Sequence, residues 1–262
     1  MTHRRHEHTV AVITGGTQGL GLAIARRLAQ EGARAIVICG RSADKGAEAE
    51  AEIAALGAAC RCVQADLARP EECYEVVDAA IETYGGVNAL VNSAAISTRG
   101  GLLDTDLALW EEHMAINLRA PFLTMQRAVR YMKDAGIPGS IVNIISMVAL
   151  CGQSYLTPYS ASKGGLATLT KNVANAFVRD RIRCNGILTG WMETPGEAEI
   201  QRRFHGAGAD WAALAAQKLP MGQLVDPNQL AGLVAYILSP EAGVMTGALI
   251  EYDQFVSGAY PE

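Results

Sequence analysis

Tyr159 and Lys163 stand four residues apart, a spacing that puts both side chains on one face of a helix. A phenol ionises near pH 10 in water and is a poor proton donor or acceptor at neutral pH unless its phenolate is stabilised. An ammonium about 4 Å away, at an effective dielectric of about 20, would interact with that phenolate by roughly 4 kcal/mol, enough to lower its ionisation by at most about three pH units. The spacing therefore predicts a tyrosine acid/base poised by its lysine. Ser146, at the end of a strand-like run upstream of Tyr159, could hold a substrate oxygen beside the Tyr159 proton and share the charge that develops as a carbonyl is reduced. A cationic oxidised nicotinamide would push the phenol the same way, and Lys163 could bind its ribose.

A second group of residues suits a diphosphate. The run Thr14-Gly15-Gly16-Thr17-Gln18-Gly19-Leu20-Gly21 sits between a short apolar strand and an amphipathic helix. Glycines let phosphate oxygens approach the backbone amides, and the helix N-terminus adds unpaired N–H groups and partial positive charge. The next strand-like run ends in Gly40-Arg41-Ser42, where the adenosine ribose lies in a dinucleotide fold. Gly40 leaves room and Arg41 supplies a guanidinium suited to a 2′-phosphate, so these residues favour NADP(H), with NAD(H) as the alternative. No second basic residue stands in the 15–21 turn.

The elements that must position these groups alternate along the chain. Strands are predicted at 9–13, 35–39, 61–64, 89–92, 140–145, 183–188 and 248–252, and helices at 20–31, 43–56, 71–84, 107–133, 160–177 and 228–238. Short apolar runs bounded by turn residues read as parallel strands buried on both faces, so the fold class is α/β, a single-domain Rossmann-like doubly wound parallel sheet. Residues 1–8 read as a flexible tail, 9–262 as one domain, and the irregular stretch 191–225 as a substrate lid. Gln153, Trp191, Met192 and His205 are the candidate substrate contacts, for a polyol, a sugar-like ketone or another small hydroxy compound, with a hydrophobic ketone or an acyl thioester as the open alternatives.

Composition narrows the classes further. Lys plus Arg number 22 against 27 Asp plus Glu, a net charge of −5, with no basic excess for nucleic acid or an anionic membrane surface. No apolar run approaches the length of a membrane span. The six cysteines show no CxxC pairing, and the tail histidines His3, His6 and His8 read as a loose segment, so no metal is expected. A soluble cytoplasmic protein with reduced thiols follows. Against the enzyme reading stands a non-catalytic nucleotide sensor or scaffold on the same fold, which would have no need for an activated phenol.

With these motifs in place, the chain resembles the short-chain dehydrogenase/reductase superfamily over residues 10–253. The resemblance implies Gly15, Gly19 and Gly21 as the cofactor loop, with Thr17, Gln18, Leu20, Arg41, Ser42 and Leu67 beside the nucleotide and Asp66 on its adenine. It implies that Asn92 and Ala94 line the cofactor, and that Asn117 holds a water linking Lys163 to solvent, completing a tetrad with Ser146, Tyr159 and Lys163. Thr194 would lie near the nicotinamide amide, and a homo-oligomer, tetramer or dimer, is implied. Ser93 and Ala95 depart from the family's NNAG segment, Thr189 from its usual proline, and Asp253-Gln254-Phe255 from its Asp-Gly-Gly.

Overall fold

The computed structural model describes residues 4–259. In chain order they form β1 (Val10–Thr14), α1 (Gly19–Gln30), β2 (Ala35–Gly40), α2 (Ala43–Ala55), β3 (Ala59–Gln64), α3 (Pro70–Tyr84), β4 (Ala89–Asn92), α4 (Leu107–Met114), a π turn (Ala115–Arg119) and α5 (Ala120–Asp134). There follow β5 (Gly139–Ile144), α6 (Val148–Cys151), α7 (Thr157–Phe177), β6 (Ile182–Thr189), α8 (Pro195–His205), α9 (Trp211–Ala216), α10 (Pro227–Leu238) and β7 (Leu249–Tyr252). The strands pair in parallel in the order β3-β2-β1-β4-β5-β6-β7. Every predicted strand is present, with ends moved by at most two residues.

Burial on both faces explains why β1, β2, β4 and β5 are largely apolar, whereas the edge strands β3 and β7 are part-exposed and carry Arg61, Gln64 and Glu251. Val10 and Val12 of β1 pack with α3, α5 and α7, while Ala11 and Ile13 pack on the other face with α1 and α10. The chain winds from β1 out to β3, then returns to β4 on the other side of β1. That reversal opens a crevice at the C-terminal ends of β1 and β4, the usual ligand position in such sheets. The Thr14 hydroxyl spans it, accepting from the backbone amides of Ser93 and Ala94 at 3.1 Å each.

Three expectations need correction. The predicted helix 107–133 is interrupted by the π turn, in which the buried Asn117 side chain bonds both backbone groups of Ile96 at 2.9 Å instead of pointing to solvent. The stretch 191–225 is more regular than its composition suggests: α8 and α9 carry a small core of Trp211, Ala215 and Leu224. Residues 5–8 are not a loose tail. Arg5 pairs with Glu31 and Glu241, and the His6 ring is buried, its Nε2 3.1 Å from the Ala235 carbonyl and its Nδ1 3.0 Å from the Thr9 hydroxyl. The sequence disguises this clamp because its partners are far away in the chain; His3 lies outside the described residues.

A carbonyl only accepts, so Nε2 of His6 carries the hydrogen and Nδ1 takes the Thr9 hydroxyl proton in the neutral ring. Burial pushes the His6 pKa down. The folded value lies below the unfolded value of about 6.5, so the unfolded chain binds more protons as the pH falls through that value, and stability drops. Thermal denaturation should therefore show a midpoint that decreases between about pH 7.5 and 5.5. His6→Gln should flatten part of that decrease, the remainder coming from His113, whose pKa burial also lowers.

Candidate active site

A single cleft of about 1060 Å³ follows the crevice, from the glycine loop and Arg41 at one end to Tyr159, Lys163 and the lid at the other. Gly15 and Gly19 hold φ of 67° and 54°, a region that residues with a Cβ rarely adopt. A Cβ on Gly21 would collide with the Gly15 carbonyl, so the loop folds tightly against the start of α1. No side chain caps α1, unlike α2, α4, α8 and α10, which are capped by Ser42, Asp106, Thr194 and Asp226. Its first amides are therefore open to an anion. These features fit a dinucleotide diphosphate.

Around this end the predicted residues divide. Thr17, Gln18, Leu20, Asp66, Leu67 and Ala94 all line the cleft. Ser42 does not, because its hydroxyl accepts from the Lys45 amide and caps α2. Nor does the Asn92 side chain. It is buried beneath the cleft, donating to Asn143 Oδ1 at 2.8 Å and accepting from the Thr124 hydroxyl at 2.7 Å. Gly40 owes its small size to Thr17, whose hydroxyl would lie 2.6 Å from a Cβ there. A second cation does reach the loop: Lys45 Nζ donates to Gln18 Oε1 at 2.9 Å. Sequence reasoning missed it because α2 folds back over the turn.

At the other end, α7 brings Tyr159 and Lys163 to the C-terminal edge of β5, beside Ser146. Lys163 is 2% exposed and its Nζ donates to the Ile144 carbonyl at 2.8 Å. Burial brings its pKa down to about 8, which still leaves it mostly protonated at neutral pH. Its Nζ lies 5.7 Å from the Tyr159 ring centroid. Tyr159 departs from the expectation. Enclosure of its hydroxyl pushes the pKa up to about 12, while the Ser146 hydroxyl pulls downward, Glu197 raises it and Arg99 lowers it. Four-residue spacing gave proximity but took no account of the cost of burying a phenolate. The Asn117 amide also bonds the Ser162 hydroxyl at 3.2 Å, so Asn117 ties the π turn to α7 between Tyr159 and Lys163.

Residues of the 191–225 stretch and the loop after β5 complete the cleft. Gln153, Trp191, Met192 and His205 all line it, as does Thr194, whose hydroxyl caps α8 by accepting from the Glu197 amide at 3.1 Å. Arg99, Tyr155 and Glu197 line it as well, and sequence reasoning missed all three. Arg99 and Glu197 form an ion pair at 3.1 Å across 98 residues, a juxtaposition with no local signal. The departure at Gln254 has a structural use: its side-chain amide donates to the Gln223 carbonyl and accepts from the Met221 amide, securing the base of the lid. Among the described residues, no group of three or more His, Cys, Asp or Glu could hold a metal.

Comparison with known proteins adds to this geometry. A short chain dehydrogenase family model matches residues 9–204. The chain is 33% identical over 241 residues to an NADP-dependent (R)-specific alcohol dehydrogenase of Lentilactobacillus kefiri, covering 91% of this chain and 92% of that one. It is 34% identical over 251 residues to an L-rhamnose 1-dehydrogenase (NAD(P)(+)) of Azotobacter vinelandii, covering 92% and 94%. The crystal structure of a short-chain type dehydrogenase/reductase from Mycobacterium marinum superposes with a TM-score of 0.87 at 28% identity, over 98% of each chain.

The glycine loop gives a direct test. Gly21→Ala places a methyl group against the Gly15 carbonyl, so isothermal titration with NADP(H) and NAD(H) should show both affinities reduced by about tenfold or more, the scale of one or two lost backbone–phosphate hydrogen bonds.

Proposed function

This chain belongs to the short-chain dehydrogenase family, and from that premise we propose that it interconverts a small neutral or polar secondary alcohol, polyol or sugar-like compound and the corresponding ketone, with Tyr159 as the proton donor and acceptor. It is an enzyme of the oxidoreductase class acting on CH–OH groups. The observation that carries the finer reading is the convergence of Ser146, Tyr159 and a buried Lys163 at the far end of the same cleft that begins at the glycine loop.

On this reading the amides opening α1 and the glycine loop hold the diphosphate, Asp66 and Leu67 flank the adenine, and Lys163 and Thr194 hold the nicotinamide half. When bound, the nicotinamide supplies or accepts the hydride. In the reducing direction the substrate oxygen accepts hydrogen bonds from the Ser146 and Tyr159 hydroxyls, and the Tyr159 proton passes to it as negative charge grows there. The Lys163 ammonium then stabilises the phenolate left behind. An ammonium has three N–H donors, so its bond to the Ile144 carbonyl leaves donors that would suit ribose hydroxyls. Asn117 keeps α7 and the π turn in register through its bonds to Ile96 and Ser162. In the oxidising direction the same groups act in reverse.

NADP(H) is the favoured coenzyme on this reading. Arg41 lies on the cleft wall, and Lys45, which donates to the cleft residue Gln18, adds a second positive charge near the same end, which favours a 2′-phosphate. The two relatives are named for NADP and for NAD(P)(+), respectively. We also propose a homo-oligomer, dimer or tetramer, acting in the cytoplasm; Phe122 on α5 is part-exposed and available to a second subunit, and no described helix is long and apolar enough to cross a membrane.

Two outcomes test this reading, both followed by the absorbance of reduced nicotinamide over a panel of polyols, sugars and simple ketones. Tyr159→Phe should lower kcat by about 10²- to 10⁴-fold with nucleotide affinity nearly unchanged; substantial remaining turnover would remove Tyr159 from its role. Arg41→Ala should lower kcat/KM for NADP(H) relative to NAD(H) by about tenfold or more, the scale of one charged hydrogen bond to phosphate. An unchanged ratio would leave Arg41 as a solvated loop residue.

A further inference from the structure

Each guanidinium nitrogen of Arg99 has a partner. Nη1 donates to the Ser97 carbonyl at 3.0 Å, Nη2 to Glu197 Oε1 at 3.1 Å and Nε to His205 Nε2 at 3.3 Å, while the Tyr155 ring lies 5.5 Å from the guanidinium carbon. Glu197 Oε1 is equally engaged, also accepting from Trp191 Nε1 at 3.0 Å and Gln201 Nε2 at 2.7 Å. The two side chains are 13% and 14% exposed, and both line the cleft beside the lid. They also act on the Tyr159 phenol in opposite senses, so they stand within electrostatic reach of the reacting oxygen.

A guanidinium beside a reaction centre would ordinarily be the receptor for a substrate carboxylate. Here an internal carboxylate already holds that position, fixed by three donors. An incoming acid would have to dislodge Glu197 or place a second anion beside this largely buried carboxylate, whereas an uncharged hydroxyl or carbonyl compound meets a locally neutral pair.

We infer that Glu197 is a specificity-determining residue: by occupying Arg99 it reserves the site for uncharged hydroxy compounds and ketones and turns away hydroxy and oxo acids. This rests on the reading of the cleft as an alcohol–ketone site. Arg99 is then a masked acid receptor, and removing the Glu197 charge unmasks it. Glu197→Gln suits the purpose, since its amide oxygen can still accept from Trp191 and Gln201.

The test uses the NADP(H)-loaded protein and a ladder of short straight-chain oxo acids with their methyl esters, measured by calorimetric binding and, in parallel, by nicotinamide turnover. Wild type should bind the esters at least tenfold more tightly than the acids. Glu197→Gln should move that ratio at least tenfold toward the acids, and adding Arg99→Gln to it should cancel the gain. Nucleotide binding reports that the variant is folded; if Glu197→Gln fails this check, Glu197→Ala removes the same charge. Equal binding of acids and esters by wild type, a ratio unmoved by the loss of Glu197, or no acid binding by the variant would each overturn the inference. The shifted binding ratio without turnover of any compound would uphold charge selection while sinking the alcohol–ketone reading, and turnover with an unmoved ratio would do the reverse.

Discussion

The hydrogen bond from Lys163 Nζ to the Ile144 carbonyl fixes a buried cation at the C-terminal end of β5, and the site is arranged around it. An ammonium with so little exposure is expensive to keep charged, which is why its pKa falls to about 8. The same enclosure makes the neighbouring phenolate expensive and pushes Tyr159 up to about 12. Burial thus disfavours the charged forms of both groups in the protein alone. On the proposed reading, the ribose hydroxyls and cationic ring of a bound oxidised nucleotide would offset this cost, so that proton transfer would depend on a loaded cleft.

Holding that bond in place requires α7 to sit squarely on the sheet, and a buried polar ladder does this. Asn92 on β4 bonds Asn143 on β5, Asn143 bonds the Thr170 hydroxyl on α7 at 2.9 Å, and Thr124 on α5 bonds Asn92. Every member has a partner, so the network stiffens the floor of the cleft without leaving an unsatisfied group. Above it, Thr14 bridges β1 to the segment after β4, and the interrupted helix at Asn117 grips that segment from the other side. The glycine-loop end and the Tyr159–Lys163 end of the cleft are therefore joined through one hydrogen-bonded frame, while α8 and α9 carry a small core of their own.

Much of this frame was legible in the sequence because its signals are local. The glycine run, the strand-to-helix alternation and the Tyr159–Lys163 spacing are each contained within a few turns of chain. What escaped was either long-range or energetic. Arg99 with Glu197, Lys45 with Gln18, and His6 with Ala235 become neighbours only through folding. Asn92 and Ser42 are polar residues at strand ends, and nothing local distinguishes a side chain that lines a cleft from one that braces the floor or caps a helix. The direction of the Tyr159 shift was missed for a different reason: spacing indicates which groups meet, whereas ionisation depends on how much water they retain.

The central claim is that this phenol becomes a usable base, for alcohol oxidation, only beside a cationic oxidised nicotinamide. Ultraviolet difference titration of wild type against Tyr159→Phe, with and without saturating oxidised nucleotide, isolates its ionisation. In the nucleotide-free protein the Tyr159 signal should be absent below the ordinary phenol value of about 10, in keeping with a pKa near 12, and with nucleotide bound it should move well below that ordinary value. A signal already near neutral pH without nucleotide, or one that the nucleotide leaves unmoved, would contradict the account.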